Sequence, residues 1–198
     1  RFNYTSEEEL EAAKDLSETR LTMWREIFES SPEDMHFVFV SQWFAETVFE
    51  DVGVRLPEHR WSIIHNPIDA DVFPYREKTA QHRLRVLSIR PYHSRVYAND
   101  LSVAAVLELK DEPWFDEMEF TFLGDGPLFE ETLAPLRGLP NVSIRRGFLT
   151  HEQIAREHAV HGVLLVPTRS DTQGVSRDEA MSSGLVPVTS AVAAVPEF

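Results

Sequence analysis

The sequence contains no cysteine in its 198 residues. Disulfide bonds and thiolate metal sites are therefore excluded, and the composition fits a reducing compartment. The eight histidines are scattered without the spacing of a metal site, so we expect no metal cofactor. No apolar run approaches the about 18 residues that cross a bilayer, and no signal-like segment opens the sequence. These absences together predict a cytoplasmic protein with at most peripheral membrane association.

Positive charge is also scarce. Nineteen lysine and arginine residues stand against 33 aspartate and glutamate residues, which gives a formal net charge of -14. A protein with this charge repels nucleic acid and anionic lipid, so we expect no nucleic-acid partner. A bound diphosphate would depend on the few cations placed around it, which makes individual arginines informative.

Short apolar runs alternate with helical patterns from residue 84 onward. This alternation predicts an α/β fold in which a Rossmann-like, doubly wound parallel sheet carries helices. Strands are expected at Leu84–Ile89, at Glu119–Leu123, at Asn141–Arg145, from Val163 and at Leu185–Val188. Helices are expected at Asn99–Lys110, from Pro127, from Thr150 to His158, and between Gly174 and Gly184.

The first 65 residues predict a partial α/β segment. Its helix should begin at two overlapping capping boxes, Thr5 with Glu8 and Ser6 with Glu9. Beyond that helix, the pattern predicts a strand at His36–Val40, a helix at Gln42–Glu50 and a strand at Trp61–Ile64.

The most informative stretch runs from Val163 to Thr189, because it reads as strand, loop, helix and strand. In open α/β sheets ligands bind beyond the carboxyl ends of the strands, so the loop before Gly174 is a ligand position. The first backbone N–H groups of the helix, around Gly174, Val175 and Ser176, have no intrahelical acceptor and suit a phosphate. Glu179 lies one turn after Val175, where its carboxylate can reach a ribose over the first turn.

Two acids eight positions apart, Asp171 and Glu179, flank this glycine, and Glu-Ala-Met-x-x-Gly-x-x-Pro-Val follows from Glu179. This pattern resembles the retaining nucleotide-sugar glycosyltransferases of the GT-B fold, in particular the family called glycosyl transferases group 1 (family 4). The resemblance implies that Asp171 contacts the hydroxyls of the donor sugar and that Glu179 binds the ribose. It implies that the amides at Gly174, Val175 and Ser176 hold the diphosphate. The family usually has Glu at the first position and an aromatic residue where this chain has Gln173.

A second stretch, His65-Asn66-Pro67-Ile68-Asp69 with Phe73 beyond it, resembles the interdomain segment of the same family, although Pro67 replaces the usual glycine. The resemblance divides the chain into a remnant of an acceptor-side domain (1–65), a linker (66–83) and a nucleotide-sugar-binding domain (84–198). It also implies a piece of a larger protein, truncated at its C-terminus and inactive alone.

The resemblance assigns further residues to the donor site. Arg90 matches an arginine that neutralises the diphosphate, with a surface ion pair as the structural alternative. The lysine that follows in the family falls on Arg95 by distance or on Tyr97 by alignment of the following Asp-Leu. The loop containing Gly124 and Gly126 lines the nucleotide pocket in the family, or it is simply a strand–helix turn. Phe148 and Leu149 match a segment whose backbone meets the base, with core filling as the alternative for Phe148.

The implied function is transfer of a hexose-type sugar from a nucleotide-sugar donor to a glycan or lipid-linked acceptor. The implied setting is bacterial cell-surface polysaccharide synthesis, and the implied chemistry needs no metal. Two alternatives stay open at this point. One is a nucleotide- or sugar-nucleotide-binding module without transfer activity, and the other is a sugar-nucleotide epimerase of the GT-B fold.

Overall fold

The computed structural model describes the backbone of residues 7–198 and the side chains of residues 14–198. The predicted capping boxes at Thr5 and Ser6 lie outside the described residues. The chain forms two compact units. The first contains the residues up to Asn66 together with two short segments, Asp171–Gln173 and Ala193–Phe198. The second contains the remaining residues, Pro67–Ser170 and Gly174–Val192.

The first unit is built on two short parallel strands. Its elements are helix α1 (Glu7–Ser30), strand β1 (Phe37–Phe39), helix α2 (Gln42–Val52) and strand β2 (Trp61–Ile63). Phe49 packs edge-to-face against Phe28, Phe39 and Trp61, with ring centroids 6.2, 5.4 and 5.2 Å away. Such aromatic pairs add about 0.5–1.5 kcal/mol each beyond the area they bury. The predicted N-terminal α/β segment is therefore confirmed.

The second unit contains the alternation of strands and helices that the sequence predicts. Its elements are β3 (Arg85–Ile89), α3 (Asn99–Leu109), β4 (Glu119–Gly124), α4 (Phe129–Leu133), β5 (Val142–Arg146), α5 (His151–Val160), β6 (Val163–Leu165), α6 (Val175–Ser182) and β7 (Val186–Val188). The five strands pair in parallel in the order β5-β4-β3-β6-β7. Among residues 7–198, no helix is long and apolar enough to cross a membrane.

The helix ends follow local sequence signals. Thr150 caps α5, because its hydroxyl accepts the Gln153 N–H at 3.3 Å and the Gln153 side chain accepts the Thr150 N–H at 2.8 Å. This reciprocal pair is the predicted capping box. Gly184, at φ 86°, follows the end of α6 and donates its N–H to the Met181 carbonyl. A left-handed glycine in this place ends a helix without steric cost.

The sheet of the second unit is covered on both faces. On one face Val86, Phe120 and Phe122 belong to a buried cluster that includes residues of α3 and α4. Leu87 and Leu123, each one position along its strand, belong to a second cluster with residues of α6. Successive side chains of a strand point to opposite faces, so this alternation produces two cores. Cover on both faces is typical of parallel sheets, because the helices that connect parallel strands lie on those faces.

The strand order reverses between β3 and β6. From β3 the chain proceeds outward through β4 and β5, and it then returns to place β6 on the other side of β3. Two connections therefore diverge at the carboxyl ends of these strands, and ligands of open α/β sheets bind at such a switch point. The loops after Ile89 and after Leu165 lie at this position.

Two short segments from the second half of the sequence belong to the first unit. The Glu197 carboxylate accepts the backbone N–H groups of Gln42 and Trp43 at 2.9 and 2.5 Å, where a helix start favours an anion. The side chain of Gln173 bonds to Asn66. The predicted linear division placed both segments in the domain 84–198. The structure groups them with the first unit because of these contacts.

Candidate functional site

The start of helix α6 carries the residues predicted to bind a phosphate. Gly174 precedes the helix with φ 92° and ψ 47°, and its carbonyl accepts the N–H groups of Arg177 and Asp178 at 2.9 and 3.2 Å. Among the described residues, no side chain caps this helix start. The N–H groups of Val175 and Ser176 lie in the first turn, at the positive end of the helix dipole. The predicted phosphate position therefore coincides with the start of a helix that follows a left-handed glycine.

Glu179 lies one turn into the same helix. Its side chain is half-buried, and no hydrogen bond from a described residue reaches its carboxylate. Burial raises the pKa of the Glu179 carboxyl, with a smaller opposing effect of His151 and a smaller reinforcing effect of Asp178. A half-buried carboxylate of this kind pays a desolvation cost that a ligand hydroxyl can offset.

A buried ion pair in the first turn of α6 was missed by the sequence analysis. The Arg177 guanidinium donates from Nε and Nη2 to Asp178 Oδ1 at 2.9 and 2.7 Å. It also lies 3.4 Å from the position that a Cβ on Gly174 would occupy. Neighbouring opposite charges in a sequence are common and give no signal of burial, so only the packing of the helix reveals this pair.

Arg90 lies at the switch point. Its side chain is 7% exposed, and Nη2 donates to the Pro167 carbonyl beyond β6 at 3.2 Å. The guanidinium carbon lies 5.2 Å from the centre of the Tyr97 ring, a cation–π distance. The alternative of a surface ion pair is therefore wrong, because the side chain is buried between the ends of β3 and β6.

Arg95 and Tyr97, the two candidates for the family's lysine position, differ in placement. Both belong to a short 3-10 turn, Arg95–Tyr97. Arg95 is exposed, whereas the Tyr97 ring packs on Arg90. Arg95 carries a positive charge at the surface, whereas the Tyr97 ring carries none and covers the buried Arg90 guanidinium. This placement favours Arg95 for the cationic role, which stays a prediction.

Arg169, in the loop after β6, is a further residue that the sequence did not single out. It forms a bidentate pair with Asp100 at 2.8 and 2.6 Å, and its Nη1 donates to the Arg95 carbonyl at 2.7 Å. The hydrogen bond from Arg169 holds the pKa of the Asp100 carboxyl below its ordinary value. The Arg169 N–H also donates to the Val96 carbonyl at 2.9 Å. These bonds fix the loop after β6 to the turn that carries Arg95.

Gly124 and Gly126 lie against the backbone of the segment that carries Arg90. A Cβ on Gly124 would lie 1.9 Å from the Arg90 carbonyl oxygen, and one on Gly126 would lie 2.4 Å from the Tyr92 carbonyl carbon. Both glycines have φ near 150°, in the region that favours glycine. They allow the strand–helix turn after β4 to pack against residues 90–93. Direct contact of either glycine with a nucleotide stays a prediction.

Phe148 and Leu149 have different surroundings. The Phe148 ring is 73% exposed and lies nearly parallel to the His93 ring, with centroids 6.2 Å apart. Core filling, the alternative for Phe148, is therefore wrong. Leu149 packs against the cluster that contains Leu87. An exposed aromatic face beside the carboxyl edge of the sheet is a surface on which a planar ring can stack.

Asp171 belongs to the first unit, unlike the other predicted site residues. Its Oδ1 accepts the Gln173 N–H, and its carbonyl accepts the Ala194 N–H, both at 3.2 Å. Among the described residues, no hydrogen bond or ion pair reaches its second carboxylate oxygen. That oxygen is available for a ligand hydroxyl.

Within the described part of the chain, no group of three or more histidine, aspartate or glutamate side chains could hold a metal ion. The arrangement offers instead a helix start for an anion, a half-buried acid and a buried arginine at the switch point. The prediction that no metal cofactor is needed stays a prediction.

Comparison with solved structures shows the same fold. The chain matches WaaG, described as a glycosyltransferase involved in lipopolysaccharide biosynthesis, with a TM-score of 0.64 and 17% identity over 86% of this chain and 48% of that chain. It matches a TarM mutant from S. aureus, solved with fondaparinux, alpha-GlcNAc-glycerol and UDP, with a TM-score of 0.64 and 15% identity over 82% of this chain and 31% of that chain. The predicted GT-B-type α/β fold is confirmed.

Sequence comparison agrees with the fold. The chain is 28% identical over 134 residues to the sulfoquinovosyl transferase SQD2 of Arabidopsis thaliana, a match that covers 66% of this chain and 26% of that protein. The chain thus spans about a quarter of this relative's length. The model of the family described as glycosyl transferases group 1 matches residues 84–198, more than half of the sequence. The chain belongs to the glycosyl transferases group 1 family.

Proposed function

We propose that this chain holds the nucleotide part of a nucleotide-sugar donor for a retaining glycosyltransferase. The observation that carries the proposal is the start of α6, where a left-handed glycine, uncapped by any described side chain, leads a helix at the switch-point edge of the sheet. One turn on, the half-buried Glu179 carboxylate has no hydrogen-bonding partner among the described residues. An anion-binding helix start beside a hydroxyl-binding acid suits a diphosphate joined to a ribose.

Each predicted residue then has a physical task. The Val175 and Ser176 amides bind the diphosphate, and Glu179 accepts a hydrogen bond from the ribose. Arg90 supplies a fixed positive charge beneath the loop, and Arg95 supplies an exposed one. Their positive charge stabilises the negative charge that develops on the departing nucleoside diphosphate, within a chain whose net charge is -14.

The base and the sugar, which are the two ends of the donor, are bound by different residues. Phe148 offers its exposed ring to the base, and base–aromatic stacking contributes about 1–3 kcal/mol. Asp171 binds the sugar hydroxyls with its second carboxylate oxygen. In a retaining transfer the acceptor attacks from the face that the diphosphate leaves, so stabilising the leaving group is the main catalytic task of this part.

The names of the relatives support a glycan or lipid-linked acceptor. They include a protein of lipopolysaccharide biosynthesis, a lipopolysaccharide galactosyltransferase and a sulfoquinovosyl transferase. We therefore propose a hexose-type sugar as the transferred group and bacterial cell-surface polysaccharide synthesis, in the cytoplasm, as the setting. These assignments rest on analogy within the family.

Calorimetric titration of the chain with UDP, GDP and ADP tests the proposal, alongside Glu179→Ala. We expect one nucleotide to bind selectively and the variant to lose about tenfold or more in affinity, because a hydrogen bond to a charged group contributes about 1.5–3 kcal/mol. Glu108→Ala, at an exposed position of α3, is the matched control and should bind as the wild type does. Unchanged affinity in Glu179→Ala would remove Glu179 from the site, and no binding of any nucleotide would refute the proposal.

Turnover separates the alternatives in the protein from which this chain comes. Hydrolysis or transfer of the sugar with retained stereochemistry supports a retaining glycosyltransferase. Binding without turnover would instead support a non-catalytic module, and a nucleotide-sugar product with altered sugar stereochemistry would support an epimerase.

A further inference from the structure

The Gln173 side chain makes an amide clamp on Asn66. Its Oε1 accepts the Asn66 backbone N–H at 2.8 Å and the Asn66 Nδ2 at 2.9 Å. Its Nε2 donates to the Asn66 carbonyl at 3.0 Å. The side chain is 3% exposed, so these bonds form away from water, where an unsatisfied polar group costs about 1–3 kcal/mol. The two residues are 107 positions apart in the sequence.

The clamp fixes a loop of only three residues, Asp171–Gln173, which belongs to the same compact unit as Asn66. The Gln173 N–H donates to Asp171 Oδ1 at 3.2 Å, so the clamped residue also holds the carboxylate. The Ala194 N–H donates to the Asp171 carbonyl at 3.2 Å and fixes the other end of the loop. The orientation of the Asp171 carboxylate therefore depends on Gln173 through two successive sets of hydrogen bonds.

We propose that Gln173 is a positioning residue for the donor sugar, because it orients the Asp171 carboxylate by clamping its loop to Asn66. This inference rests on the proposed function, in which Asp171 binds the sugar hydroxyls. Gln173 itself does not touch the sugar: its side-chain amide is buried on Asn66. Its side chain and N–H bond to Asn66 and Asp171, so we expect its loss to change the sugar contact more than the nucleotide contacts of Val175, Ser176 and Glu179.

The chemistry of the clamp requires an amide of this length. Glutamate could accept the Asn66 N–H but could not donate to the Asn66 carbonyl, and its charge would be buried against that oxygen. Methionine has a similar length and volume but offers neither strong donor nor strong acceptor. Asparagine is one methylene too short to make the same three bonds. These differences provide a graded series of variants.

Gln173→Met is the main test, measured by calorimetry with UDP, GDP and ADP and with UDP-glucose, GDP-mannose and ADP-glucose. We expect the variant to keep the wild-type affinity for the preferred nucleotide within about twofold. The additional affinity that the sugar gives over that nucleotide should fall by about tenfold, since a small misplacement of a polar group loses its contact. Gln81→Met, at an exposed glutamine of the second unit, is the matched control and should leave both affinities unchanged.

Hydrogen exchange of the Asn66 amide tests the clamp without any ligand. The Asn66 N–H should exchange slowly in the wild-type chain and at least about tenfold faster in Gln173→Met, because its acceptor is removed. Equal exchange rates would show that the clamp does not form and would overturn the inference. If Gln173→Met does not fold, Gln173→Asn, which is one methylene too short to make the same three bonds, replaces it in both measurements.

Three binding results have different consequences. If Gln173→Met keeps the full affinity increment of the sugar, or if its affinities for nucleotide and nucleotide-sugar fall by the same factor, the positioning role is wrong and the proposed function stands. If the wild-type chain binds no nucleotide, the proposed function itself fails and the positioning role fails with it. If the wild-type chain binds a nucleotide and only the sugar increment is lost in the variant, both are supported.

Discussion

The stability of the chain should fall as the pH falls from 6.5 to about 4, because of one buried histidine. His158, on α5, is 1% exposed, and its Nδ1 lies 3.2 Å from Ser183 Oγ. Burial, followed by the nearby charges of Lys78 and His161, lowers the pKa of His158 from 6.5 to about 4. Across this pH range the unfolded chain binds a proton at His158 that the folded chain excludes. The unfolded state is therefore favoured progressively as the pH decreases.

The magnitude follows from the difference between the two pKa values. A difference of 6.5 minus about 4 is roughly 2.5 units, and at about 1.36 kcal/mol per unit it amounts to roughly 3 kcal/mol of lost stability below pH 4. At pH 5 the loss is about 2 kcal/mol relative to pH 7.5. Since domains are stable by only about 5–15 kcal/mol, this loss is measurable.

Urea unfolding of the wild type and of His158→Asn at pH 7.5 and pH 5 tests the prediction. The asparagine amide can take the place of Nδ1 but does not titrate, so the variant loses packing equally at both pH values. The stability difference between the two proteins should therefore shrink by about 2 kcal/mol at pH 5. Burial also lowers the pKa of His161, but both proteins retain that residue. Parallel pH dependence of the wild type and the variant would refute the assignment, and His59→Asn, at an exposed position, is the control.

Two further predictions concern Gly124 and Phe148, which lie beside the candidate site. Gly124→Ala should destabilise the chain by about 4 kcal/mol in urea unfolding, because its Cβ meets the Arg90 carbonyl and its φ is unfavourable for alanine. Gly147→Ala has a similar φ of 147° but an open surrounding, so it should cost only about 1–3 kcal/mol, and equal costs would contradict the clash. Phe148→Ala should weaken nucleotide binding by about 1–3 kcal/mol in calorimetry without destabilising the fold. Tyr75→Ala, at a ring with 74% exposure, is the control, and equal affinities would exclude stacking on Phe148.

The order of strands and helices could be predicted because its signals are local. The alternation of apolar runs and the capping box at Thr150 each depend on a few neighbouring residues, and the structure contains the elements they predict. The parallel pairing of the strands could also be predicted, since strands separated by helices cannot pair by a hairpin. The helix start at Gly174 was predictable for the same reason, because a glycine between a strand and a helix is a local pattern.

The surroundings of single side chains could not be predicted, because they depend on distant contacts. Arg90 could have been a surface cation until its guanidinium was found between Pro167 and Tyr97. Phe148 could equally have been core, since an aromatic residue after a strand occurs in both environments. Arg169 carries no local signal, because its partner Asp100 is 69 positions away.

The assignment of two late segments to the first unit is the clearest case of this limit. A linear reading assigned Asp171 and Gly174 to one domain, because they are three residues apart and form one motif. The structure groups them differently because Gln173 turns its amide toward Asn66 and the Glu197 carboxylate caps α2. A glutamine in a polar loop and a glutamate after a proline are ordinary residues in a sequence. Their partners lie more than a hundred positions away, which is why the sequence shows Gln173 only as a departure from the family pattern.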